Sequence, residues 1–123
     1  MVLLFLVMLE IFMSIVVTTT LSFEGYRITA YQGVVRGVIV RAPTISQGIL
    51  GGLKGIIGGH IGAYTEMCDQ ARQHAYDLMV QHAMDIGANA VIGMRYDASD
   101  VGAKFPATEV ICYGTAVVIE PVR

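Results

Sequence analysis

The sequence predicts an α+β fold, with a mainly antiparallel sheet and one long helix packed on one face. Three observations predict it. Tyr64, Cys68, Ala71, Ala75, Met79, Ala83 and Ile86 recur at steps of three and four, the spacing of a single buried helical face. Gly87 follows as the expected C-cap and leads into the apolar run Ala88, Ala90, Val91 and Ile92. Stretches rich in β-branched residues stand on both sides of the helix, so strands frame it in the chain. The alanines of the buried stripe let the helix lie close to the sheet.

The elements follow in order. Residues 14–20, Ser-Ile-Val-Val-Thr-Thr-Thr, read with Met13 as a first strand. Phe23-Glu24-Gly25 reads as a turn. Tyr26 to Val40 reads as one long strand, or two joined at a glycine bend, with Gly33 and Gly37 inside it. Gly48 to Gly62 holds seven of the fourteen glycines, interleaved with Ile and Leu, and reads as a mobile or interface segment. The helix comes next, and Glu66 and Asp69 are placed in its first turns, where the dipole favours carboxylates. Asn89 to Tyr96 is a strand and Asp97 to Pro106 a polar connection. Thr108 to Ile119 is the last strand, with Val110, Cys112, Gly114, Ala116 and Val118 on one face, and Pro121 stops it.

A chain of 123 residues is long enough for one domain with its own core. A hydrophobic fraction of 54% beside 15% charged residues implies surface buried between copies of the chain. The net charge of −2 carries no basic footprint, which argues against nucleic acid as a partner. Two cysteines at unrelated positions, Cys68 and Cys112, form no disulfide framework and fit a reducing, cytoplasmic compartment.

Met1 to Val17 is almost continuously apolar but carries Glu10. No Lys or Arg precedes Arg27, so a secretory signal lacks its basic region. The run is also shorter than the twenty or so apolar residues of a membrane span. Residues 1–12 read as an apolar extension before a domain at 13–123, and synthesis starting at Met13 is one reading. A membrane anchor, with contact confined to residues 1–17, is the alternative, and an added assembly element a third.

Motifs for chemistry are sparse. In the glycine-rich segment Lys54 is followed by Gly55 rather than Ser or Thr, so the phosphate-binding loop fails on residue identity. The Gly-x-Gly that opens a dinucleotide fingerprint occurs nowhere in the chain. His74 and His82 lie about 12 Å apart along the helix axis and cannot share one metal within a subunit. No Cys-x-x-Cys or His-Glu-x-x-His pattern points to zinc. No serine sits in a nucleophile elbow, and Asp97 with Asp100 reads as a solvated turn. The expectation is therefore a protein that is not an enzyme. The ligand-binding candidates are His60, beside the glycines that precede the helix, Arg72 and Asn89. The metal candidates are His60, Cys68 and Cys112. For Arg72, pairing with Asp69 or Glu66 is favoured over an anion. Both cysteines are placed in the core, where a thiol behaves as a small hydrophobe.

Several phrases together resemble the YbjQ-like family of small bacterial proteins, which carries a heavy-metal-binding label. They are Val17-Thr18-Thr19-Thr20, Gly25-Tyr26-Arg27-Ile28, Gly33-Val34-Val35-Arg36-Gly37 and Gly58-Gly59 with Gly62-Ala63-Tyr64. Ala71-Arg72, Gly87-Ala88-Asn89-Ala90-Val91-Ile92-Gly93 and Tyr113-Gly114-Thr115-Ala116-Val117 complete the set. The resemblance runs from about Ser14 to Val118. It implies a dodecin-like α+β subunit assembling into a homo-oligomeric ring, a pentamer, with a heavy-metal ion as the ligand to expect. Gln32 stands where some relatives resemble one another in a cysteine, and Val38 where the family is often acidic, so a metal site using those positions is absent here. Three functions compete: a binding module holding a metal or small molecule at subunit junctions, a scaffold associated with a membrane through its apolar N-terminus, and an enzyme with a composite active site between subunits. For the last, the sequence shows no nucleophile–base or metal signature.

Overall fold

The computed structural model describes residues 2–4, 14–42, 60–104 and 106–123. The described elements run in the order β1 (Val16–Val17), β2 (Tyr26–Arg41), α1 (His60–Asp85), β3 (Ala90–Asp100) and β4 (Thr108–Pro121). The four strands form one sheet in the order β1-β3-β4-β2. Strands β2 and β3 both run antiparallel to β4, whereas β1 lies parallel to β3. The sheet is therefore mixed, not uniformly antiparallel, although its two long pairings are antiparallel.

The helix crosses one face of this sheet and buries Ala71, Ala75, Met79 and Ala83, a stripe at strict four-residue steps. These meet Val35 and Ile39 of β2, Val110, Cys112 and Ala116 of β4, and Val91 of β3. The approach is closest at Gly37. A Cβ there would stand 2.6 Å from the amide nitrogen of Met79 and 2.7 Å from Leu78 Cβ, and would run into the Ala75 carbonyl. Glycine below and alanine above thus set the helix-to-sheet distance. Gly114 makes a similar allowance inside the sheet, where a Cβ would come within 2.6 Å of Val91 Cγ1.

The helix ends as its sequence predicts. Gly87 takes φ +82°. Its N–H donates to the Met84 carbonyl at 3.0 Å, and the Ala88 N–H donates to the Ala83 carbonyl at 3.0 Å. This is the Schellman pattern, closed by contact between the buried Ala83 and Ala88. Asn89 then ties the turn to the last strand. Its side-chain amide donates to the Ile119 carbonyl at 3.0 Å, and its oxygen accepts the Ile119 N–H at 2.8 Å.

Several boundaries differ from expectation, each for a physical reason. The first strand has only two ladder residues, although Thr18 and Thr20 continue its contact with β3 through Gly93 and Met94. Tyr26–Arg41 is a single strand, and Gly33, at φ +110°, marks a slip in its pairing with β4 rather than a break. Strand β3 continues four residues past Tyr96, because Asp97 to Asp100 pair with Ile111 to Thr108. Helix α1 starts at His60, so Glu66 and Asp69 lie beyond its first turn, which contains no acid. Residues 43–59, most of the glycine-rich segment and with it Gly58 and Gly59, lie outside the described residues, as does Met13. Among the described residues no helix is long and apolar enough to cross a membrane.

Cys68 and Ile86 leave the predicted buried stripe: both are exposed. Ile86 sits at the C-cap, where the chain has turned away from the helix face. Cys68 is explained by length. The 26 residues of α1 span about 39 Å. The helix runs antiparallel to β2, with Gly37 beneath Ala75 to Met79. Four strand residues further, β2 ends at Arg41, about 13 Å away, which corresponds to about nine helical residues. The sheet therefore gives out beneath residue 68, and the start of α1 projects past it.

Gly37→Val is expected to lower stability by about 3 kcal/mol through forced separation of helix and sheet, read as a lower urea midpoint at unchanged slope. Gly62 lies in the projecting turns, and a Cβ added there would meet nothing within 4 Å. Gly62→Ala is expected to raise stability by up to about 1 kcal/mol through helix propensity.

Candidate functional site

Sulfur, phenol and guanidinium groups from helix and sheet meet where the two layers face each other. Cys112, on the buried face of β4, donates its thiol to the Met79 thioether at 3.6 Å. Tyr96 of β3 is its cross-strand partner, and the Arg72 guanidinium lies 5.5 Å above the Tyr96 ring. Arg72 is thus held by an aromatic face, and the expected pairing with Asp69 or Glu66 is replaced by this stack. Burial pushes the Cys112 thiol up from 9.0 to about 11, partly offset by a hydrogen bond with Tyr96. Burial likewise raises the phenols of Tyr76 and Tyr96. A thiol this well covered stays protonated at neutral pH and is neither nucleophile nor open ligand.

The predicted site residues do not meet within one subunit. His60 opens α1, and its side chain lies outside the described part of the structure. Asn89 follows the far end of that helix, on the order of 40 Å away. Both of its polar side-chain atoms are already engaged by Ile119, so it acts as a structural latch. Of the metal candidates, Cys112 is sealed in the core, whereas Cys68 is exposed on the projecting part of α1. Among the described residues no three of His, Cys, Asp and Glu gather to hold a metal ion. His74 is exposed, while His82 accepts the backbone N–H of Arg36 at 3.2 Å through Nδ1. A hollow of about 470 Å³ lies at the Arg27–Glu120 pair, lined also by Pro121, Val122 and Arg123, and takes in none of the candidates.

The residues that sequence reasoning missed lie on the other face. Phe23 and Ile28 pack with Ala90, Ile92, Val117 and Ile119 at one end of it. The other end is bare. Val34 is 71% exposed and Val40 60%, with Val38 and Tyr113 also exposed. Register puts Arg36, Tyr113 and Arg95 in one row across β2, β4 and β3, beside the row Val38, Ile111 and Asp97. Alternation of Val34, Arg36, Val38 and Val40 was the signal in the sequence; the row itself needs the register. Arg95 is pinned by hydrogen bonds from Nη1 to the carbonyls of Thr19 and Met94, at 3.1 and 2.8 Å.

The architecture is that of a small α+β domain with one helix-covered and one largely bare sheet face. Comparison with known proteins gives its family. The profile of a family described as "Putative heavy-metal-binding" matches residues 15–120, and the chain belongs to that YbjQ-like family. It is 56% identical over 107 residues to a UPF0145 protein of Legionella pneumophila (strain Lens), covering 87% of this chain and 100% of the relative. It is 51% identical over 104 residues to a UPF0145 protein of Francisella tularensis subsp. tularensis, covering 85% and 98%. A crystal structure from Pediococcus pentosaceus, of a protein of unknown function in the DUF74 family, superposes with a TM-score of 0.61 at 21% identity. That match covers 86% of this chain and 98% of the other, and shows the shared fold.

Two outcomes test the cysteine assignment. A disulfide reagent at pH 8 is expected to titrate Cys68 in the folded protein and Cys112 only after unfolding. The folded-state pKa of Cys112 lies above its ordinary 9.0, so its contribution to stability is complete below pH 9. That contribution is lost as pH rises through about 11. Cys112→Ala is expected to flatten this part of the alkaline stability profile.

Proposed function

We propose that the chain is a non-catalytic, homo-oligomeric binding module that holds a heavy-metal ion or a small molecule where copies meet. The observation that carries this reading is the placement of Cys68. It stands exposed on the part of α1 that extends past its own sheet, where further donors come from a neighbouring copy. The bare apolar end of the sheet, the high hydrophobic fraction and the family's description support the same reading. A ring, a pentamer as the family resemblance implies, repeats each junction around one axis. Two free cysteines favour the cytoplasm as its compartment.

Cadmium titration of the apo-protein, followed by thiolate absorbance, tests the metal arm. Stoichiometric binding that survives Cys112→Ser and disappears in Cys68→Ser is the expected result. Binding retained by Cys68→Ser overturns the junction site. Native mass spectrometry of protein purified from its own host without chelators tests the small-molecule arm, through any mass carried by the assembly.

A further inference from the structure

We propose that the assembly is built by edge-to-edge strand pairing, with residues 37–41 of β2 in one copy joining residues 96–100 of β3 in the next. This rests on the homo-oligomeric reading above and names the surface that makes the oligomer.

The sheet has two unlike long edges. Strand β2 closes one side, and β3, only partly covered by β1, closes the other. Among the described residues, β2 has one outward amide engaged, at Arg36, and β3 is covered only as far as Arg95. On β2 the outward N–H of Arg36 is taken by His82 Nδ1 at 3.2 Å. On β3 the outward groups as far as Met94 are taken by Thr18 and Thr20, and Arg95 closes over Thr19 through its side chain. Both seals fall on nearly the same row, because Arg36 and Arg95 share Tyr113 as their partner. Beyond it lie Gly37 to Arg41 on one edge and Tyr96 to Asp100 on the other, opposite Cys112 to Thr108 of β4. Gly37 to Arg41 and Tyr96 to Asp100 sit at the same end of the sheet, and among the described residues no other strand pairs with either stretch from outside. In an antiparallel ladder every second residue turns its N–H and C=O outward. The outward residue Arg36 therefore sets Val38 and Val40 outward on β2, and Met94 sets Tyr96, Ala98 and Asp100 outward on β3.

Charge makes these edges complementary. The β2 edge carries Arg36 and Arg41 and no acid between Tyr26 and Arg41, whereas the open β3 edge carries Asp97 and Asp100. All four side chains are exposed. Among the described residues neither arginine has an ion-pair partner, and the carboxylates accept only the local N–H groups of Ala98 and Gly102. Alternation puts Arg36 and Asp97 on the bare face, and Arg41 and Asp100 on the helix face, so matched charges stay matched on both faces when one sheet continues into the next. Strands β2 and β3 run in the same direction, since both are antiparallel to β4. Joining two unlike edges is a head-to-tail contact, and such contacts close into a ring when the rotation allows. An open edge with apolar Val38 and Val40 beside it is also a liability that a neighbouring strand removes.

The experiment compares the wild-type chain with three variants by native mass spectrometry and light scattering. Arg36→Glu/Arg41→Glu and Asp97→Lys/Asp100→Lys are expected to dissociate to folded monomers, and the fourfold variant combining them to reassemble. Wild-type assemblies that persist in both double variants overturn edge pairing and leave the oligomeric reading standing. Dissociation that the fourfold variant does not reverse overturns charge-matched pairing. A wild-type chain that is monomeric overturns both readings. Hydrogen exchange on the wild-type protein gives an independent measure: the amides of Val38, Val40, Tyr96 and Asp100 are expected to be protected in the assembly and to exchange in dilute monomer, whereas Ala98 already donates to Asp97. Protection that persists in the monomer assigns the edge to the chain's own residues 43–59 and overturns the proposal.

Discussion

The close seat of α1 on Gly37 is the constraint on which the rest depends. The contact brings helix backbone, not merely side chains, onto the strand. A helix held that near has room for alanine but not for larger residues along its contact line, and Ala71, Ala75 and Ala83 satisfy this. Met79 is the exception: its unbranched, adaptable chain is fully buried and its thioether accepts the Cys112 thiol at 3.6 Å. The core is thin and dense as a result. It covers one face of the sheet without reaching round to the other.

From that seat the C-terminal half of the chain is placed almost residue by residue. The Gly87 turn reverses the chain directly into β3, and Asn89 latches the turn to β4. Strand β3 then has its place between β1 and β4, with Gly93, at φ +63°, at the slip in its pairing. The same seat fixes how far the helix runs, so its start projects past Arg41. The exposed Cys68 and the bare Val34, Val38 and Val40 are thus two results of one geometry: a helix laid on one side of the sheet and offset past the end at Arg41.

Much of this was legible in the residues. The alanine stripe, the Gly87 cap, the Phe23-Glu24-Gly25 turn and the alternation of β4 are local signals, and each is found where its spacing put it. What was not legible depends on lengths and partners. Periodicity assigned Cys68 to the buried stripe because periodicity reports a helix face, not whether a sheet lies beneath it. Arg72 stood near acids in sequence, but an aromatic ring from β3 lay closer in space. Asn89 had the chemistry of a ligand and the position of a latch. The parallel direction of β1 could not be read from a short β-branched run, because direction comes from the partner. The row of Arg36, Tyr113 and Arg95 joins three segments distant in sequence and exists only once the register is known.

The pairing of β2 with β4 also has a consequence in time. Arg27 and Glu120 face each other across 93 residues of chain, and β4 is the only strand that β2 pairs with in the described sheet. During synthesis β2 therefore leaves the ribosome long before its partner exists. Its valines wait in an unpaired, apolar strand while the helix and β3 are still being made. Contacts this distant in sequence fold slowly, and an exposed strand of this kind is prone to wrong partners in the interval. Strand β4 is translated after the other described strands and completes the sheet, so a chain cut short before Thr108 keeps β2 without its mate.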